Sequence, residues 1–422
     1  MILSDINALV KKLLPDSGAS GLETASTHRT ERIGEEDSSH RAEWAREEDS
    51  SHKEEWTGIE DISHKAEWAE EKDSSYRIEN IGLVVSSYKD ERAEKEENSH
   101  RAERIGEEDS SHRAGKGGSP QIIVSGNTTM QHLLEGLPCK GLGVAPYSPV
   151  DISLHPFQNM ILLPGISTFV GADIVSGILS CGMDLGEDIC LFVDLGTNGE
   201  IVLGNRDRLI CASTAAGPAF EGGNISCGVA GIPGAIDRVD IIDHIVRYTS
   251  LGGRKPVGLC GTGVLEVTYE LLKSGIMDET GLLSDPYFEK GFRITGDVIF
   301  RMEDIREVQL AKGAVRAGIE TLIESYGIHY GNIQKLYLAG GFGKKLNIRK
   351  AAGIGLIPFE LLERTEAVGN SSLKGAVEFA AGRIEAQRFI HVADFTEEIS
   401  LGDHPSFQEQ YFSYMNFPPI TK

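Results

Sequence analysis

Apolar residues along this chain fall into short runs separated by glycine-rich turns, and the pattern starts in earnest only after residue 120. The run Ile189-Cys190-Leu191-Phe192-Val193 leads into Asp194-Leu195-Gly196-Thr197-Asn198-Gly199-Glu200 and then into Ile201-Val202-Leu203. That order predicts a strand, a tight glycine turn and a second strand. A similar turn, Gly340-Gly341-Phe342-Gly343, follows the strand-like Leu336-Tyr337-Leu338. Gln121–Ser125 reads as a further strand, and Ser125-Gly126-Asn127-Thr128-Thr129-Met130 opens a helix that Asn127 or Thr128 caps. Helical spacing is clear from Val264 to Lys273 after Cys260-Gly261-Thr262-Gly263. It is clear again from Asp304 to Tyr326, which stops at Gly327. A helix also runs from Asp173 through Leu179, where Asp173 is either a cap or a functional carboxylate. At the N-terminus, Asp5–Leu14 is amphipathic and ends before Pro15.

Between that first helix and the Gln121 strand the pattern changes. His28, His40, His52, His64, Tyr76, Tyr88, His100 and His112 mark a tandem array with a period of 12 residues. Its acidic residues outnumber its basic ones about two to one, and it supplies about half of the formal charge of -23. Apolar residues are too sparse there to bury a helix face, and a unit of 12 is short for a solenoid. We expect the array to be a soluble insertion, mostly disordered or partly helical through Arg/Glu pairs. Trp44, Trp56 and Trp68, all the tryptophans of the chain, lie inside it. The resulting division is 1–20, the array over 21–118, a first α/β half over 119–188, a second over 189–400, and a tail over 401–422.

The net charge argues against nucleic acid and anionic membrane surfaces as partners. No apolar run reaches 18 residues and no signal peptide is legible, so a cytoplasmic location is expected. The six cysteines never form a C-x-x-C pair, so neither an iron–sulfur centre nor a zinc site is expected.

Two strand-terminal glycine turns suggest one nucleotide held between parts of a sheet domain. A turn such as 194–200 points backbone N–H groups and the Thr197 hydroxyl at its concave side, and phosphate oxygens suit that geometry. Asp194 can hold Mg²⁺ directly or through water. A plain Asn-Gly hairpin is the alternative for Asn198-Gly199. The stretch Ser213–Gly223, centred on Gly217, has the small residues that close backbone approach to a ligand requires.

The strings IIVSGNTTMQHLL, LLPGISTFVGADIVSGIL, FVDLGTNGEIVLGN, STAAGPAFEGGNI, CGTGVLEV, DIREVQLAKGAVRAGI and LAGGFG occur in this order over about 250 residues. In this the chain resembles the ATPase part of the reductive activators of corrinoid proteins, within the acetate/sugar kinase–Hsp70–actin superfamily. The resemblance implies an α/β, ribonuclease H-like ATPase fold with an incomplete first half. It implies ATP or ADP with Mg²⁺ as cofactor, here weakly bound or lost, a corrinoid protein as partner, and the return of Co(II) to Co(I) as the task. By the same resemblance Asp194, Thr197, Asn198 and Gly199 contact phosphate and metal. Gly217 lines the cleft, and Gly340, Gly341 and Gly343 take the adenosine side. The four clustered cysteines and the Asp-x-Gly-Thr-Thr loop of the family pattern are missing, so the chain looks cut off at its front. The alternatives are a non-catalytic docking module for a corrinoid protein, served by a separate ferredoxin, and an inactive truncated gene product; a homodimer is also compatible.

Overall fold

The computed structural model describes residues 82–86, 121–243, 245–341 and 346–420. The 1–20 helix and most of the array, with its three tryptophans, lie outside the described residues, as does Gly343. The chain divides into two units, of which residues 1–77 with 117–119 form one and the remainder the other; only the second holds described residues.

Its centre is a six-stranded sheet in the order β14-β13-β5-β6-β7-β15. The strands are β5 (Ile189–Leu195), β6 (Gly199–Asn205), β7 (Arg208–Thr214), β13 (Ile333–Gly340), β14 (Thr365–Gly369) and β15 (Glu397–Glu398). Strands β5, β6 and β7 form an antiparallel meander, while β13 runs parallel to both β5 and β14. Alternation along β5 explains its unbroken apolar run. Leu191, Val193 and Leu195 enter one core cluster, and Cys190 and Phe192 enter another on the opposite face. Helix α4 (Met302–Tyr326) covers the first face through Val315 and Ile319. Helices α2 (Ala172–Cys181) and α7 (Ala386–Phe395) cover the second through Ile174, Ile178, Phe389 and Val392.

A smaller sheet has the order β1-β2-β4-β3, from β1 (Gly82–Ser86), β2 (Gln121–Ser125), β3 (His155–Phe157) and β4 (Met160–Leu162). Strands β2 and β4 are parallel, and β1 runs antiparallel to β2. Residues 82–86 form a strand within the array, whose other residues lie outside the described residues. Their sequence, Gly-Leu-Val-Val-Ser, is rich in strand formers where other copies are acidic.

The helices expected within the described residues form with small shifts. Asn127 caps α1 (Thr128–Glu135) by accepting from the Met130 N–H, and Asn370 does the same for α6 (Ser371–Ala380) through Leu373. Helix α4 starts two residues before Asp304. Asp304 accepts from Arg301 N–H at 2.7 Å and from the Ser226 N–H and hydroxyl at 2.5 and 2.8 Å. It therefore pins the 226 loop to the helix start. Ser125, at the end of β2, meets the hydroxyls of Ser176 at 2.8 Å and Ser372 at 2.9 Å, joining the small sheet to α2 and α6. Cβ-free contact lets α2 sit this close: a Cβ on Gly177 would lie 2.6 Å from the Phe192 ring and 3.1 Å from Ser371 Oγ.

Candidate nucleotide site

Asp194 lies inside β5, not in the turn, and faces Glu200 across the β5–β6 hairpin. The turn itself is short: Leu195 pairs with Gly199, and Gly196 N–H donates to Asn198 O at 3.0 Å. The backbone is therefore a hairpin, and what sets it apart is the carboxylate group beside it. Even-numbered positions of β5 face α2, so Asp194 shares its side of the sheet with Asp173 in the first turn of that helix. Asp173 does not cap α2. Gly171 holds the cap position without a side-chain bond, and the Asp173 Oδ1 accepts from Ile174 N–H at 3.1 Å. A Cβ on Gly171 would press against Asn127, Gly126 O and Asp173 Oδ1, all within 2.8 Å, so the Gly126-Asn127 loop abuts the same carboxylate.

Burial pushes the Asp194 carboxyl up to about 7, with the Asp173 and Glu221 carboxylates adding to the effect. Burial likewise raises Asp173 to about 6. Glu200 is raised well above the usual range by burial and then by Asp173 and Asp194. Glu221 enters through the short 3₁₀ turn Pro218–Glu221, where it accepts the Thr197 hydroxyl at 2.7 Å. Gly217 opens that turn at φ 78°, and its N–H donates to Thr197 O at 2.8 Å. An added Cβ at Gly217 would meet nothing within 4 Å, so the backbone there borders open space.

The second glycine turn comes to the same edge. Parallel pairing sets Ala339 against Asp194 and Gly340 against Leu195, and Ala339 also pairs with Gly369 of β14. Gly340 has φ 115°, and a Cβ there would collide with the Leu195 carbonyl. Glycine is thus required both by the backbone angle and by the closeness of the two turns. Gly341 follows as an exposed turn residue. The carboxyl ends of β5, β13 and β14 consequently share one edge, which is where ligands bind in sheets of this kind.

Of the residues anticipated from sequence, the structure groups Asp194, Thr197, Asn198, Gly199 and Gly217 with Gly340 and Gly341. It adds Glu200 and Glu221, which sequence reasoning missed. Glu200 was legible in principle, since a three-residue hairpin loop makes it the cross-strand partner of Asp194. Glu221 comes close only through the fold.

Carboxylates that raise one another's proton affinity are relieved by a cation, and oxygen donors suit Mg²⁺. Among the described residues no three metal-binding side chains are placed to hold one ion. Beside a nucleotide Mg²⁺ is held by one or two carboxylates plus phosphate and water. An iron–sulfur centre fits less well. The six free cysteines, Cys139, Cys181, Cys190, Cys211, Cys227 and Cys260, sit on separate elements.

Comparison with known proteins bears on the same residues. The family model described as the C-terminal domain of RACo, the ASKHA domain, matches residues 188–422, and that of the RACo middle region matches residues 116–186. The chain belongs to the RACo family. It is 31% identical over 327 residues to the corrinoid activation enzyme RamQ of Eubacterium limosum, covering 69% of this chain and 55% of that protein. The [Co(II) methylated amine-specific corrinoid protein] reductase of Methanosarcina barkeri is 31% identical over 269 residues, covering 58% of this chain and 48% of the reductase. A solved reductive activator for corrinoid, iron-sulfur protein superposes with a TM-score of 0.65 at 32% identity, covering 70% of this chain and 52% of that one. The chain therefore spans about half the length of these relatives. Its six-stranded sheet and flanking helices form the actin/Hsp70-like ASKHA domain of the RACo family.

Proposed function

We propose that this chain is the nucleotide-binding part of a reductive activator of a corrinoid protein. Mg-ATP or Mg-ADP lies along the shared edge of β5, β13 and β14. The observation that carries this reading is the side-by-side placement of the Asp194 turn and the Gly340 turn, flanked by four carboxylates. Asp194, with Glu200 or Asp173, takes the magnesium through oxygen or water. Asn198 offers its side-chain amide to phosphate, the Thr197 hydroxyl does so on leaving Glu221, Gly217 borders the open space beside them, and Gly340 and Gly341 leave room for the adenosine side. Positioning and charge neutralisation are what phosphoryl chemistry requires of a protein. The named relatives act on corrinoid proteins, which supports a Co(II) corrinoid protein as partner. Its return to Co(I) needs one electron, and a separate [2Fe–2S] ferredoxin is the donor in this proposal.

Calorimetric titration of Mg-ATP into the full chain tests the nucleotide reading. Binding should be measurable for the wild type, abolished in Asp194→Ala and unchanged in Asp37→Ala of the array. Equal heats for wild type and Asp194→Ala would defeat it.

A further inference from the structure

A three-stranded sheet outside the nucleotide edge has the order β10-β8-β9, from β8 (Ala235–Ile242), β9 (Ile245–Ser250) and β10 (Gly258–Leu259). Strand β9 is antiparallel to β8, with Asp240 opposite Arg247, Val239 opposite Tyr248 and Ile241 opposite Val246. Its two edges differ. On the β8 side, β10 covers only Ala235 and Ile236. Beyond it, side chains stand in for a strand. Val239 N–H donates to Glu266 Oε2 at 3.4 Å and Ile241 N–H to Glu270 Oε2 at 3.1 Å, while Val239 O accepts from Lys350 Nζ at 2.9 Å. Helix α3 (Gly261–Lys273) brings the two glutamates and helix α5 (Ile348–Gly353) the lysine. Among the described residues no strand pairs with the other side of β9.

The same bonds fix which way β9 points. Val239 and Ile241 turn their N–H groups away from β9, so their partners Tyr248 and Val246 turn theirs away from β8. Ile245, Arg247, Tyr248 and Thr249 are all exposed. Free backbone groups along an exposed edge invite a further strand. Charge then selects the strand. Asp240, the cross-strand neighbour of Arg247, is ion-paired to Lys350 at 3.5 Å, and Arg247 forms no ion pair among the described residues. Asp237 is held beside Thr249, whose hydroxyl donates to it at 2.7 Å. A second, antiparallel β9 that bonds through Val246 and Tyr248 can be centred on three residues. Centred on Arg247, it sets two guanidiniums against each other, which is repulsive. Centred on Val246, it sets Arg247 against Ile245. Centred on Tyr248, it sets Arg247 opposite Thr249 of the second copy, beside the Asp237 carboxylate that this Thr249 holds, and symmetry repeats the contact.

We propose that β9 pairs antiparallel with β9 of a second copy of this chain, about a two-fold axis at Tyr248, so that the two small sheets become one. Tyr248 exchanges backbone bonds with Tyr248 of the second copy, Val246 does so with Ser250, and Arg247 finds its counter-charge in Asp237. The contact is one strand wide, so the dimer is concentration-dependent rather than permanent.

Sedimentation velocity and hydrogen exchange on the full chain test the proposal together. The wild type should pass from monomer to dimer as its concentration is raised a hundredfold, and exchange at the Tyr248 amide should slow at least tenfold over that range. The Arg247 amide, which faces β8 in the chain's own hairpin, should be protected at every concentration. Tyr248→Pro removes an N–H that faces away from β8, so it should give a folded monomer. Arg247→Asp and Asp237→Arg should each weaken dimerisation at least tenfold, and the two together should restore it. A wild type that stays monomeric, or a dimer whose Tyr248 amide exchanges as fast as in the monomer, would overturn the proposal. So would a Tyr248 amide already protected in the monomer, since another segment or protein would then cover β9. A charge-swapped double variant that dimerises no better than the single ones would overturn it as well. The wild-type exchange decides the matter even if the proline variant fails to fold.

Discussion

At Asp194 the carboxyl is held near 7 by burial and by the Asp173 and Glu221 carboxylates, so the folded protein binds a proton there that the unfolded chain, near 3.8, has released. The stabilising effect of that proton is fully present below pH 4 and is lost as pH rises through 7. Asp194→Asn should therefore raise the melting temperature at pH 8 and leave it unchanged at pH 4, as calorimetric scans at the two pH values would show. Magnesium binding needs the ionised form, so Mg-ATP affinity should increase from pH 6 to pH 8. Lys312 carries the opposite sign. It is 1% exposed and donates to Tyr414 O and, at 2.7 Å, to Asn416 O, at the end of helix α8 (Phe407–Met415). Burial, with Arg316 beside it, lowers its amine from 10.5 to about 7. The unfolded chain then binds more protons between pH 7 and 10.5, and stability should rise with pH across that window. Lys312→Met should remove this slope, which denaturant titrations at pH 7 and 9.5 would detect.

At the scale of elements, close approach is what places the site. Helix α4 packs closely on the β5–β6 hairpin: a Cβ on Gly199 would come 2.9 Å from Val315 Cγ2, and one on Gly318 would come 2.6 Å from Ile201 Cδ1. Its other side takes α8 against Gly313, where a Cβ would lie 3.2 Å from Met415 Cγ. Overpacking such contacts typically costs about 1–3 kcal/mol. Gly177→Ala, which drives a methyl into the buried Phe192 ring, should lower stability by about that much in urea titrations. Asn370→Ala removes the cap bond to Leu373 N–H and should cost about 1 kcal/mol. Because α6 begins beside Gly369, on the edge that carries the site, the same change should also weaken nucleotide binding.

For the whole molecule, a ligand held at the edge of β5, β13 and β14 stabilises only the folded state. Saturating Mg-ATP at 100 times its dissociation constant should add about 2.7 kcal/mol, and Gly340→Ala should abolish the gain while the protein still melts cooperatively. Much of this was legible in the sequence. Strand and helix positions followed from periods of 2 and 3.6, one cap from Asn127, and the two turns from their glycines. Those are local properties, set by each residue's neighbours within about a turn of helix or a hairpin. The sequence also gave the family, through seven strings in a fixed order. It could not show that Asp173, Glu200 and Glu221 crowd Asp194. Glu221 and Asp173 are each more than 20 residues from it, and their mutual repulsion exists only once α2, the hairpin and the 3₁₀ turn are packed together. Nor could charge counting reveal β1. The array reads as a solvated acidic insertion because most copies are charged, yet its residues 82–86 pair with β2, about 40 residues on. Sequence alone thus determined the elements and the chemistry available at their ends. Tertiary structure decided which ends meet, because burial and strand pairing depend on partners distant along the chain.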